Sequence, residues 1–353
     1  MKYYQKLDSL RAIALFFVLF SHFTPATPEC FYAGIFAFNV FFIMSGFLIT
    51  SILLRPNTDS FKTNYKNFIG RRTLRIFPIY YLTILVLWLL HLDIVREKLI
   101  WFVTYTFNYA WVLYNLPITP ATHFWSLALE EQFYLIWPLI ALPLKNKKTL
   151  LIAILIVIIS IGFAQWIFNI FPSLGAYNEV SLLTHMASMG LGCLAAILSN
   201  EDLLPDNIFK SKLVECIVFI VIIPSFFIRY RLTEVVFDVC AFYIVLKAAK
   251  YDFCFSSINR ILQNKQLLRI GTISYGVYVF HLPLAYYFTT YIFDPFLWNQ
   301  IDFHSLGKFK ILQWYPWIIK FPLYTYLSIL FASFSYKYIE MPILKLKDKY
   351  FKY

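Results

Sequence analysis

The feature that most constrains this chain is a recurrence. Apolar runs of about 17 to 25 residues follow one another, separated by short segments carrying Pro, Asn and Lys or Arg. About 20 residues at 1.5 Å each cross the ~30 Å hydrocarbon core of a bilayer as a helix. Membrane strands would instead be about ten residues long and alternate in polarity, and the sequence does not read that way. The composition agrees, with 60% of the 353 residues hydrophobic, 14% charged and a mean hydropathy of +0.65. The expectation is an all-α integral membrane protein.

Candidate spans fall at roughly 10–27, 31–54, 76–92, 124–144, 149–168, 181–199, 213–229, 233–249, 270–293 and 316–340, with an eleventh run at about 99–115. That run decides the topology. If it does not cross and the N-terminus is cytoplasmic, the later inside segments (145–148, 210–212, 247–269 and 345–352) hold fourteen Lys and Arg residues, against Arg229, Arg231, Lys308 and Lys310 outside. Positive charge collects on the cytoplasmic side, so the count favours about ten transmembrane helices with both termini cytoplasmic. "WFVTYTFNYAWVLYN" then becomes a re-entrant or interfacial segment. The same rule accounts for the net charge of +12 without nucleic acid.

No linker, repeat or low-complexity tract interrupts the chain, which reads as a single domain over residues 1–353. The start "MKYYQKLDSL" opens a retained first helix, since its apolar continuation is broken by His22 and lacks a small-x-small cleavage site. Five cysteines show no C-x-x-C spacing and read as packing residues.

Ionisable groups inside spans are costly and face a cavity or a partner. Arg11 and His22 lie eleven residues apart, close to a whole number of helical turns and about 16 Å along one face. Either could instead serve an interface, Arg11 by snorkelling to headgroups and His22 near the opposite surface. In "GRRTLRIFPIYYL", Arg72 and Arg75 share a helix face, and a guanidinium fork matches phosphate oxygens as well as it anchors a helix end. "HFWSLALEEQFYLIWP" places Glu130 and Glu131 near the middle of a span, either as structural partners of an arginine or beside His22 as a base with its orienter. Ser45 and Gly46 permit close helix packing; His281 and Glu340 read as caps or inter-helix ties.

There is no G-x-S-x-G, H-E-x-x-H, Walker or G-x-G-x-x-G motif, and no His followed at five residues by Asp. What remains is a phosphate-suited arginine cluster joined by a polar stripe to a deeper histidine. A long ligand with a phosphorylated cytosolic end and a reactive far end fits it, and an acyl-CoA has that shape.

At this point a resemblance emerges. "LDSLRAIALFFVLFSHF", "FFIMSGFLIT", "RRTLRIFPIYYL", "HFWSLALEEQFYLIWP", "ISYGVYVFHLPL" and "YIEMP" are similar, in order, to the blocks of the acyltransferase-3 family of integral membrane acyltransferases. The resemblance covers nearly the whole chain. It departs at Asn39, where relatives often carry Asp, and in showing no SGNH-type hydrolase-like domain, so that it resembles the stand-alone form. It implies a bacterial multi-pass protein of the inner membrane that moves an acyl group, most simply acetyl, from cytoplasmic acyl-CoA to a hydroxyl of a surface polysaccharide or related glycan. It further implies His22 as catalytic base or transient acyl carrier, Glu130 as its partner, and Arg72 and Arg75 with Arg11 as ligands of the donor phosphates. Trp125, Ser126, Tyr134 and the segment 101–111 become a platform for a sugar ring. No metal and no tightly bound cofactor is expected. A flippase would use a similar buried lane but predicts related halves, which are not seen. A membrane O-acyltransferase of the unrelated fold would want a different Asn/His pair, and a sensor on this scaffold would tolerate loss of His22.

Overall fold

In hydrocarbon a backbone amide has no water to bond, so an apolar run satisfies its own N–H and C=O groups by coiling. The computed structural model describes residues 4–24, 27–55, 59–144, 147–170, 180–227, 233–298 and 316–351, and among these no strand occurs. The helices are α1 (Gln5–Phe23), α2 (Pro28–Leu53), α3 (Phe61–Leu89), the short α4 (Asp93–Glu97), α5 (Leu99–Val103) and α6 (Phe107–Leu113), α7 (Phe124–Ala141) and α8 (Lys147–Ile170). They continue as α9 (Leu182–Asn200), α10 (Asp206–Phe209), α11 (Lys212–Ser225), α12 (Thr233–Lys250), α13 (Ser256–Leu262), α14 (Lys265–Phe288), α15 (Phe321–Ser335) and α16 (Met341–Tyr350). Local chemistry sets several starts. Ser60, Ser181 and Ser211 accept the backbone N–H of Thr63, Thr184 and Val214, and Asn264 accepts those of Gln266 and Leu267.

Among the described residues, four helical stretches are long and apolar enough to cross a membrane: Glu29–Leu53, Phe61–Leu89, Leu182–Asn200 and Ile318–Lys347. Three of them coincide with the expected spans 31–54, 181–199 and 316–340, whereas Phe61–Leu89 overlaps 76–92 but starts well before it, because the helix continues unbroken through the basic segment that holds Arg71, Arg72 and Arg75. Lys6, Asp8 and Arg11 keep α1 out of that set, because length and apolarity alone do not mark a helix so charged.

The 99–115 run is no single helix. It is broken among α5, α6 and the turns around them, and neither piece has the ~20 residues a crossing needs. Its turn is held by side chains: Tyr80 and Tyr81 donate to the carbonyls of Phe102 and Val103 at 2.9 and 2.8 Å, and Gln132 donates to that of Tyr105 at 2.8 Å. Tyr105 itself takes a positive φ of 53°. Non-helical backbone buried in protein, with its carbonyls met from α3 and α7, is how irregular chain is tolerated at membrane depth.

Two close approaches set the bundle. A Cβ on Gly46 of α2 would sit 2.0 Å from the Met189 carbonyl oxygen, and one on Gly192 of α9 would sit 2.1 Å from that of Ile43, so these helices touch backbone to backbone. A Cβ on Gly271 of α14 would sit 1.8 Å from the Asp8 carbonyl oxygen, which brings α14 directly against α1. α1 also packs on α2, and α14 on α15.

Not every cation counted as an inside charge is a headgroup anchor. Lys247 is fully buried on α12, 2.9 Å from the equally buried Glu215 of α11. It also donates to the Phe209 carbonyl, while Glu215 accepts the N–H groups of Cys254 and Phe255. Arg229, Arg231, Lys308, Lys310, Lys145 and Lys352, used in the same count, lie outside the described residues.

Candidate functional site

Four helices, α1, α3, α7 and α14, carry most of the side chains that meet at the candidate site. On α7, Ser126, Glu130 and Tyr134 recur every four residues and so share a face. α3 contributes Arg72 and Arg75, α1 contributes Asp8, Arg11 and His22, and α14 contributes Tyr278 and His281.

One cluster forms around the arginines. Arg11 donates to Asp8 at 2.8 Å, one turn earlier on α1. Arg75 stands within electrostatic reach of both Arg11 and Arg72, with Asp8 and Glu340 as nearby acidic groups. The Arg72 guanidinium lies over the Tyr134 ring, 5.1 Å from its centroid. Tyr134 donates to Glu130 at 2.8 Å, and Ser45 of α2 donates to the same carboxylate at 3.3 Å. Three guanidiniums from two helices thus converge with Asp8, Glu130, Glu131 and Glu340 around them, and among the described residues only Arg11 makes a close ion pair, to Asp8; guanidinium forks not closed by a carboxylate suit an added anion. Arg71 diverges and donates to the Phe351 carbonyl at 2.6 Å. Glu131 points elsewhere on α7, into a small cavity also lined by Arg72, Thr73, Tyr105 and Gln132. Its Oε1 is buried and has no hydrogen-bond partner among the described residues.

The other cluster is made of imidazoles. His22 Nδ1 lies 2.8 Å from His281 Nε2, with the two rings stacked at 5.0 Å and 12°. His281 Nδ1 lies 2.5 Å from the Tyr278 carbonyl oxygen. His123, just before α7, places its ring 4.8 Å from that of His281 and its Nε2 3.1 Å from the Val279 carbonyl. The Tyr278 hydroxyl bonds Ser126 at 2.5 Å and the His123 carbonyl at 3.1 Å, tying the cluster to the polar face of α7. Through Ser126, Glu130 and Tyr134 one helix face therefore links imidazoles to guanidiniums.

The structure brings Arg11, Arg72 and Arg75 together, sets Glu130 and Tyr134 beside them, and links Ser126 to Tyr278. It does not pair Glu130 with His22. Glu130 bonds Tyr134 and Ser45 and sits with the arginines, whereas the imidazole that meets His22 belongs to His281, a residue expected only to cap or tie helices. Trp125 stands apart from Ser126, its ring 5.3 Å from Phe38 and 5.5 Å from His185. Glu340 accepts a hydrogen bond from Ser335, five residues earlier in its own helical stretch, and its Oε1 lies against Gly276 of α14. His123 and Tyr278 went unnoticed in the sequence. The available signal was that His22, His123 and His281 all lie in or beside apolar runs.

Such a bundle defines a helical membrane protein with a buried lane of ionisable groups. A family model described as an acyltransferase domain matches residues 4–337, and the chain belongs to that family, acyltransferase-3. Its relatives include a "Putative O-acetyltransferase" of Staphylococcus aureus strain COL, 28% identical over 98% of this chain and 58% of the relative. They also include the O-acetyltransferase OatA of S. aureus strain NCTC 8325, 26% identical over 100% of this chain and 59% of the relative. A third is the "Putative peptidoglycan O-acetyltransferase YrhL" of Bacillus subtilis, 26% identical over 97% of this chain and 55% of the relative. The chain thus spans less than two thirds of the length of these relatives. No solved structure matches it.

Proposed function

We propose that this chain is a membrane O-acyltransferase that moves an acetyl group from cytoplasmic acetyl-CoA to a hydroxyl of a cell-surface glycan. In this reading it crosses a bacterial inner membrane about ten times with both termini cytoplasmic. The observation that carries the reading is the pairing of two unlike clusters along one helix face: guanidiniums suited to phosphates, and an imidazole with a nitrogen free for proton transfer. The names of the relatives favour acetyl as the group and a cell-wall glycan as the acceptor.

Arg72 and Arg75, with Arg11 beside them, hold the phosphates of the donor, and the pantetheine arm lies along the polar face toward His22. His22 takes the proton of the acceptor hydroxyl as the oxygen attacks the thioester carbon. The C–S bond breaks, the acyl–oxygen bond forms, and the coenzyme thiolate takes up the proton from the imidazolium. Glu130 steadies the arginine cluster through Tyr134. The residues present call for no metal in this sequence of steps.

Mass spectrometry of surface glycans from cells with and without the gene tests the function. A hydroxyl-linked acetyl mass difference is the expected result, and identical spectra overturn it. The donor assignment has its own test. Arg72→Ala removes a charge-assisted contact of about 1.5–3 kcal/mol, so KM for acetyl-CoA rises by about tenfold to a hundredfold with kcat nearly unchanged. An unchanged KM returns Arg72 to a purely structural place in the bundle.

A further inference from the structure

We propose that His281 is a positioning residue: it accepts a hydrogen bond from His22 and thereby fixes the tautomer in which His22 Nε2 is the base. The inference rests on the reading of His22 as base, and it replaces the orienting carboxylate expected of Glu130 with a second imidazole.

The argument runs outward from a carbonyl. The Tyr278 oxygen, 2.5 Å from His281 Nδ1, can only accept, so the hydrogen sits on Nδ1. A neutral imidazole has one N–H, which leaves His281 Nε2 with a lone pair. His22 Nδ1 is 2.8 Å from that lone pair, so His22 carries its own hydrogen on Nδ1 and donates it. His22 Nε2 is then the nitrogen with an unshared pair. The alternative is a His281 cation donating from both nitrogens, and it would put a charge on a side chain with 0% exposure. The contacts described for that ring are the Tyr278 carbonyl, His22 and aromatic faces, with no carboxylate among them, so the cation has nothing to offset its desolvation.

The surroundings hold this chain in register. Tyr278 lies one turn before His281, so the carbonyl that orients the ring belongs to the same helix and moves with it. Gly271 lets α14 approach α1 closely enough for the two rings to stack. His123 packs edge-on against His281 while its own Nε2 is spent on Val279, so it walls the ring without competing for Nε2. The result parallels the general logic of an activated base, in which a third group fixes the nitrogen that reacts. Here the fixing group is a backbone carbonyl acting through a second histidine.

The test compares His281→Leu with His281→Gln in membrane vesicles, with acetyl-CoA as donor and isolated cell-wall glycan as acceptor. Leu fills the site without an acceptor atom, and kcat falls by about tenfold to a hundredfold from mispositioning while KM for acetyl-CoA holds. Gln offers Oε1 where Nε2 stood, and most of the loss is recovered. Equal loss in both variants overturns the proposal, because a tie between helices would respond to shape and not to the acceptor atom. Nitrogen-15 spectra of ring-labelled protein read the tautomer without any turnover. A His22 signal with hydrogen on Nδ1 supports the chain, and hydrogen on Nε2 overturns it. Failure of the base reading is separable: His22→Ala that keeps turnover sinks that reading, whereas inactive His22→Ala beside fully active His281→Leu sinks only the positioning role.

Discussion

His22→Ala abolishes measurable acyl transfer, a fall of about 10²–10⁴-fold in kcat as expected when a general base is removed. The variant still inserts, and its KM for acetyl-CoA stays near that of the parent. The reason is positional. His22 is partly exposed near the end of α1, so its ring is no keystone of the core, in contrast to the wholly buried His281. Its Nδ1 is engaged by His281 and its Nε2 is left for chemistry. Steady-state assays with labelled acetyl-CoA, alongside a thermal melt in detergent, check both halves of the expectation. Retained turnover in a folded variant would remove His22 from the mechanism. A sensor built on the same scaffold would give that result.

Lys247→Met produces the largest expected loss of stability. It strands Glu215 in a site where neither side chain of the pair has any solvent exposure, and breaking a buried pair by removing one partner costs about 3–5 kcal/mol. The backbone N–H groups of Cys254 and Phe255 still face the carboxylate but bring no full charge. Neutralising the stranded group restores most of the stability, so Glu215→Gln combined with Lys247→Met melts well above Lys247→Met alone. Gln keeps an acceptor for the Cys254 N–H, which is why it is preferred to Leu. If the single and double variants melt together, the pair is not what joins α11, α12 and the 251–255 segment.

Much of this architecture was legible because it depends on short-range periodicity. Helix content follows from apolar runs in a medium without water, and the runs marked α2, α3, α9 and the stretch through α15 directly. Arg72 and Arg75 share a face because they are three residues apart, and the charge count argued against a single spanning helix over 99–115, a run that the structure breaks into short pieces. The arginine site was visible for the same reason: a phosphate-suited residue type, repeated at helical spacing, announces itself along one strand of sequence.

The imidazole pair was not legible, since 259 residues separate His22 from His281 and neither spacing nor residue type relates them. Glu130 appeared to share the depth of His22, and depth along an axis is all that helix rise supplies. It does not tell which way a side chain faces around that axis. The same gap hid Lys247, which any charge count treats as solvated until Glu215 is found against it.

Helical character, membrane affinity, the arginine face and family membership were thus written locally, because hydrogen bonding within a helix and the cost of apolar surface in water act over a few residues. Which polar groups meet was decided only by tertiary packing. The backbone contact at Gly271 lays α14 along α1, and that contact, made across the length of the chain, turns a lone histidine into one half of a pair.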